Sequence, residues 1–177
     1  MLKTSPLIFI PVRNGLIAGV VGFCLLLALY FMGKHPFLFN IFFDFRIILF
    51  GIFLALTVRE IRDNYQDGII FFWQGMIACL VFTIAFAIII FALIWILCIA
   101  FPPFVSTYIT TALDQARNFP PEVIDKIGKD VFEQSMKELE GVTGYYLAKH
   151  YFWQSFVISF FLSIIISVIL RRQPKND

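Results

Sequence analysis

Charged residues are scarce in this sequence of 177 residues: 15% are Asp, Glu, Lys or Arg, whereas 60% are hydrophobic. A water-soluble domain of this size needs a polar surface, which so few charges cannot provide. The hydrophobic residues also form long runs, and such runs are typical of segments that contact lipid. The net charge is +2 and no basic stripe is present, so the composition does not favour nucleic-acid binding.

Residues that bind metals or form disulfides are equally few. Cys24, Cys79 and Cys98 lie singly within apolar runs, and His35 and His150 are isolated. These spacings predict no disulfide framework, no metal site and no cofactor. The sequence also lacks a nucleophile elbow, a phosphate-binding loop, a dinucleotide fingerprint and a zinc-protease motif, so no catalytic residue is predicted.

Four apolar runs predict four transmembrane helices, at about residues 15–32, 39–58, 76–101 and 152–170. The first run also suits a secretory signal, but no small-residue cleavage site follows, which favours a retained helix. The third run is too long for one span, so residues 68–75 are expected in the interface, with Trp73 as an anchor. Pro102 cannot continue that helix.

The second run contains the pair Asp44 and Arg46. Its uninterrupted apolar part, residues 47–58, is too short to cross a core of about 30 Å. Extending it back to residue 39 places both charges in the outer third of the bilayer, where ionisable groups are costly unless they pair or reach the interface. The pair is therefore either an interfacial feature of a tilted helix or a functional polar site within the membrane.

Residues 102–150 differ in character and predict an extramembrane segment. After Pro120 and Pro121, apolar residues follow helical period, and acid-to-base pairs recur four residues apart. Gly141 and Gly144 are expected to end this helix. The predicted fold is therefore all-α: a single membrane domain, 1–177, with four transmembrane helices and one extramembrane amphipathic helix between spans three and four.

The basic residues predict the orientation of these spans. An even number of spans puts both termini on one side, and whole-loop counts of Lys and Arg tie at seven on each side. The residues next to the membrane differ, because Arg13, Arg59, Arg62, Arg171 and Arg172 crowd the side of the termini. The positive-inside rule then places both termini in the cytoplasm, with the chain in a bacterial inner membrane.

A polar cluster connects spans two and three. Arg59, Arg62, Asp63 and Asp67 are its charged candidates for binding a partner protein or an anionic headgroup, since arginine suits phosphate. The same residues equally suit a solvated cytoplasmic turn whose arginines fix the topology.

Small residues four apart mark faces of the first and last spans. Gly15 and Gly19 lie on the first, and the last carries a row of four serines: Ser155, Ser159, Ser163 and Ser167. Such spacing lets helices approach closely and favours helix packing. A serine row can instead line a polar path, but these hydroxyls also bond to their own backbone carbonyls, so packing is the favoured interpretation.

The chain resembles a family of small four-helix bacterial membrane proteins known as domain of unknown function 4199. The resemblance covers nearly the full length and rests on residues 13–19 (RNGLIAG), on Arg62-Asp63 before 68–75 (GIIFFWQG), and on 169–172 (ILRR). The acidic amphipathic segment after the third span also fits, although it is less acidic than the family pattern. The resemblance implies a membrane location. It also implies that the gene often lies near one for a membrane-associated glycosyltransferase.

Two functional hypotheses remain open at this point. The first is a non-catalytic accessory or scaffold subunit that binds another membrane protein, with a glycosyltransferase as one partner, or that self-associates; it rests on the small-residue faces and the amphipathic helix. The second is a small transporter or lipid-handling protein that uses Asp44 and Arg46 or the loop cluster. A membrane enzyme ranks third, because no tuned acid–base pair or nucleophile is evident.

Overall fold

The computed structural model describes residues 5–38 and 44–173, and every regular element in those ranges is helical. The helices are α1 (Pro6–Phe31), α2 (Phe45–Tyr65), α3 (Phe72–Ala100), α4 (Pro103–Arg117), α5 (Pro121–Ile127), α6 (Lys129–Glu140) and α7 (Gly144–Leu170), with a short 3-10 helix, Pro36–Leu38, after α1. The predicted all-α class is confirmed. Residues 39–43, with which the second predicted span begins, lie outside the described ranges.

Three helices, α1, α3 and α7, are long and apolar enough to cross a membrane. Each begins earlier than the apolar run indicated, at Pro6, Phe72 and Gly144. Local signals explain two of these starts. A proline stands in the first turn of α1, where its missing N–H costs nothing. The Thr143 hydroxyl accepts a hydrogen bond from the Tyr146 N–H at 3.3 Å and so caps α7.

Helix α2 carries more charge and is therefore not among the three most apolar helices. It begins directly after Asp44, whose carboxylate accepts a hydrogen bond from the Arg46 N–H at 2.9 Å and caps the helix. Its 21 residues correspond to about 31 Å. The helix extends beyond the predicted end at 58 to Tyr65, so its last two turns carry charged residues.

Helix α3 lies at the centre of a four-helix bundle and packs against α1, α2 and α7, while α2 also packs against α1 and α7. The core contains fully buried aromatic rings, and the ring centroids of Phe50 on α2 and Phe86 on α3 are 4.7 Å apart. On α1, glycines allow this close packing: a Cβ at Gly15 would lie 2.6 Å from the Phe82 carbonyl oxygen. Backbone proximity therefore holds α1 to α3.

The segment after α3 corrects the prediction of a single amphipathic helix. Residues 103–117, for which the sequence predicted no separate helix, form α4, and the expected helix is divided into α5 and α6 at Gly128. Gly128 has φ +93°, a conformation that glycine adopts readily and other residues avoid. Helix α4 packs against α6 and covers part of it, but no residue of α6 is fully buried.

The end of α7 is tied to the loop between α2 and α3. Ile70 and Arg172 form an isolated antiparallel bridge, with N···O distances of 3.1 and 2.9 Å in its two backbone hydrogen bonds. This bridge aligns one end of the bundle and places Arg172 beside the polar loop cluster.

Candidate functional site

The most buried charged group in the described residues is Arg46, in the first turn of α2. Its side chain points into the bundle and is 5% exposed. Asp44, one residue before the helix, is its counter-ion: Nε of Arg46 donates to both carboxylate oxygens at 2.8 Å, and Nη2 forms an ion pair with Oδ2. A buried charge needs such a partner, because desolvation otherwise disfavours the ionised form.

Helix α7 completes the shell around this arginine. Nη2 of Arg46 donates to Oε1 of Gln154 at 2.7 Å, and Nη1 donates to the Ser155 hydroxyl at 3.0 Å. The guanidinium carbon also lies 4.2 Å from the ring centroid of Tyr151, a cation–π distance. The arginine therefore links α2 to three residues on one face of α7 at i, i+3 and i+4.

A cavity of about 100 Å³ lies beside this ion pair. Four of its lining residues carry polar side chains, namely Asp44, Arg46, Tyr151 and Gln154, and the other four are apolar: Leu29, Pro36, Phe37 and Phe45. The Tyr151 hydroxyl is buried and has no hydrogen-bond partner among the described residues. The site thus combines a neutralised charge pair, an unpartnered hydroxyl and an apolar wall.

An aromatic cluster joins this cavity to α4. His35 is buried, and its Nε2 lies 3.1 Å from the Phe104 carbonyl oxygen, so the ring is the Nε2–H tautomer that donates this bond. The rings of Phe104 and Tyr108 pack against it, with centroid distances of 4.8 and 5.3 Å. Burial lowers the pKa of His35, although the bond to the Phe104 carbonyl opposes that shift. The histidine is therefore a neutral structural group at neutral pH.

The predicted loop cluster lies at the opposite end of the bundle. Nε of Arg62 donates to Asp63 Oδ1 at 2.7 Å, and its Nη1 lies 3.5 Å from the Leu170 carbonyl oxygen at the end of α7. The hydrogen bond from Arg62 lowers the pKa of Asp63 and raises that of Arg62. Arg59 and Asp67 are exposed. The structure thus places Asp44 and Arg46 at one end and the other four charged candidates at the other.

A further polar cluster at this second end was not predicted from the sequence. Nη2 of Arg13 donates to both carboxylate oxygens of Glu60 at 2.6 Å, and the amide nitrogen of Asn14 donates to the Thr57 hydroxyl at 3.1 Å. Asn14 and Thr57 are buried, so they join α1 to α2 within the bundle. An asparagine directly before the glycine face of α1 is the one sequence signal that could have indicated this contact.

The four serines of α7 all face the bundle and are at most 1% exposed. Ser155 bonds to Arg46, and the Ser159 hydroxyl lies 2.7 Å from that of Thr83 on α3. Ser163 donates to the Ser159 carbonyl, and Ser167 contacts Cys79 and packs against Gly75. Gly15 and Gly19 of α1 lie against α3. These small residues therefore occupy contacts inside the chain.

Sequence reasoning missed Tyr151 and Gln154, although both touch the arginine or its cavity. Their signal was present: at the start of an apolar run, Tyr151, Gln154 and Ser155 carry the polar groups of a single helical face. No group of three or more His, Cys, Asp or Glu side chains that could hold a metal occurs within residues 5–38 and 44–173.

Three apolar helices of membrane-crossing length and a polar pair enclosed in a helical bundle define an all-α protein of the membrane class. More particularly, the chain belongs to the family described as protein of unknown function (DUF4199), whose model matches residues 13–172. This match confirms the resemblance seen in the sequence. Comparison with curated proteins and with solved structures finds no match.

Proposed function

We propose that the chain crosses the lipid bilayer four times, with α2 as the fourth span. The outward face of α2 supports this proposal: Ile48, Ile52 and Leu56 follow one another at i, i+4 and i+8 and are each more than half exposed. Such a face suits lipid better than water. The charge at the start of α2 points inward and is paired, so the helix presents no ion to lipid there.

The proposed location is a bacterial inner membrane with both termini in the cytoplasm. Five arginines support this orientation, because all of them lie towards the same end of the bundle: Arg13, Arg59, Arg62, Arg171 and Arg172. In this arrangement α4, α5 and α6 form the extramembrane segment on the other side, including the proposed amphipathic α6.

Labelling in intact cells tests this topology. Lys34→Cys, Asp67→Cys and Gln134→Cys introduce exposed thiols before α2, in the α2–α3 loop and in α6, and a membrane-impermeant maleimide reports which of them are outside. We expect labelling at positions 34 and 134 and none at position 67 until the membrane is opened. The parent chain with its three native cysteines is the background control. Equal labelling of positions 34 and 67 would contradict α2 as a span and with it the four-span arrangement, and the reverse of the expected pattern would invert the orientation.

Within this topology the chain functions, in our proposal, as a non-catalytic accessory subunit of another membrane protein. One observation carries the idea: the segment α4–α6 presents apolar surface and a groove outside the bundle. Val123, Ile127 and Val131 are 37%, 45% and 55% exposed. Beside α6 lies an open groove of about 700 Å³, to which Tyr108 and Leu139 contribute apolar surface. Exposed apolar surface rimmed by charge is typical of a protein-binding region.

The partner is a membrane protein in this proposal. A glycosyltransferase is the first candidate partner, because the family resemblance implies that such an enzyme is often encoded nearby. Ser159 and Ser163, although small, are not suitable probes of partner binding. Both are fully buried within the chain, so replacing them with leucine would disrupt the bundle itself.

Co-purification tests the accessory role. After gentle detergent extraction from native membranes, we expect one membrane protein in stoichiometric amount by mass spectrometry. The variant Ile127→Asn/Val131→Asn should lose that protein, because it makes the exposed face polar. Asp130→Asn, on the same segment, should retain it and serves as the matched control. If the double variant folds and retains the full complement of partner, this face is not the binding surface.

A second candidate function is transport or lipid handling, and the cavity beside Arg46 favours it. A transporter needs a polar group that can exchange partners within the membrane. Arg46 is instead held by Asp44, Gln154 and Ser155. Lipid binding requires no such exchange, so it is the form of this candidate that the geometry supports better.

A further inference from the structure

The cavity beside Arg46 has features that a purely structural ion pair does not require. It lies between the last turn of α1, the start of α2 and the second turn of α7, and its volume is about 100 Å³. A well-packed interior leaves few voids larger than a water molecule. A polar cavity of this size can hold several waters or one group of a larger ligand.

The hydrogen-bonding groups at the cavity favour a ligand that accepts hydrogen bonds. The Tyr151 hydroxyl is unpartnered among the described residues, and the side chain is only 2% exposed. Gln154 uses its oxygen to accept from Arg46, which leaves its amide nitrogen as a second donor. The carboxylate of Asp44 already accepts from the Arg46 side chain and backbone. The available groups are therefore mainly donors.

The charge and the walls of the cavity further restrict the chemical class of ligand that fits. Asp44 neutralises Arg46, so an uncharged acceptor suits the cavity better than a second anion. Leu29, Phe37 and Phe45 form an apolar wall against which a hydrocarbon chain can lie. A carbonyl oxygen attached to an acyl chain has both properties.

The proposed position in the membrane supplies such a group. The cavity is level with the end of α1 and with Tyr151, immediately before the last predicted span at 152–170. That level is the boundary between headgroups and hydrocarbon, where the ester carbonyls of glycerolipids lie. We propose that the cavity binds a glycerolipid through an ester carbonyl, which accepts a hydrogen bond from Tyr151 and lies beside Gln154. This inference rests on the proposed four-span topology.

Paired lipids test the inference directly. The purified chain in mild detergent is incubated with ester-linked or ether-linked phosphatidylglycerol of equal chain length, and native mass spectrometry measures the bound fraction. The ether lipid keeps the phosphate and the chains but lacks the carbonyls. We expect the ester lipid to bind about three- to tenfold more tightly, the ratio expected for one hydrogen bond.

The variant Tyr151→Phe removes only the unpartnered hydroxyl and should bring ester-lipid binding down to the ether-lipid value. Tyr145→Phe, on an exposed residue of the same helix, is the matched control and should bind as the parent chain does. A melting curve of each variant confirms that it is folded. Equal binding of the two lipids, or unchanged ester-lipid binding by Tyr151→Phe, would overturn the proposal. The maleimide-labelling experiment tests the topology independently, so a failure of lipid binding can be distinguished from a wrong topology.

Discussion

Removing the negative charge of Asp44 gives the most direct test of how the bundle tolerates a buried arginine. The variant Asp44→Asn retains a side-chain oxygen that can cap α2, since asparagine and aspartate are comparable N-caps. It therefore isolates the loss of charge from the loss of the helix cap. Arg46, which is 5% exposed on its side chain, would then be a buried cation without a counter-ion.

The expected loss in the free energy of unfolding is about 3 kcal/mol. Removing one partner of a buried ion pair costs about 3–5 kcal/mol, because the remaining charge stays desolvated. Arg46 keeps its bonds to Gln154 and Ser155, so the lower end of that range is appropriate. By contrast, Asp63 is 50% exposed in its pair with Arg62, so solvent screens that pair and Asp63→Asn should cost much less than Asp44→Asn.

Reversible unfolding in mixed detergent micelles, followed by circular dichroism, measures these differences. The double variant Asp44→Asn/Arg46→Met should recover at least half of the lost stability, because the uncompensated charge is gone and methionine fills part of its volume. A loss below about 1 kcal/mol for Asp44→Asn would refute the reasoning, since Arg46 would then not depend on its carboxylate. No recovery in the double variant would refute it as well.

Two further predictions concern packing and protonation. Gly15→Ala should destabilise the chain by about 1–3 kcal/mol, because its Cβ would lie 2.6 Å from the Phe82 carbonyl oxygen. Gly51→Ala is the control and should not destabilise the chain, because its Cβ would meet nothing within 4 Å. Thermal unfolding measures both variants, and equal melting temperatures would contradict the close approach of α1 to α3. Burial lowers the pKa of His35, so its contribution to stability is present above its ordinary pKa of about 6.5 and is lost as the pH falls through the lowered value. The parent chain should therefore be less stable at pH 5 than at pH 7.5, and this difference in stability should be smaller in His35→Asn. An equal difference in the variant would show that another group causes the pH dependence.

The all-α class was predictable because it depends on local composition. A run such as residues 152–170 is helical wherever it lies, since lipid leaves the backbone no other partner for its polar groups. The ends of the helices were less predictable. Thr143 caps α7 nine residues before the apolar run starts, so the first two turns of the helix lie outside that run.

The charged pair of the candidate site was predictable from the sequence, but its partners on α7 were not. Asp44 and Arg46 were identifiable from the sequence because two charges interrupt an apolar run, and charge within such a run is costly. Their partners were not identifiable, because Gln154 and Ser155 are 108 and 109 residues away from Arg46. Nothing in the sequence around α2 specifies which face of α7 it meets.

By itself, the sequence determined the class of protein, the existence of the long apolar helices and the concentration of arginines near their ends. These are properties of single segments and follow from the transfer of each segment into lipid. Only the tertiary structure decided that α4 packs against α6, that Gly15 and Gly19 of α1 lie on α3, and that a cavity remains beside Arg46. Such features depend on the rotation and translation of one helix against another, which the free energies of individual segments do not specify.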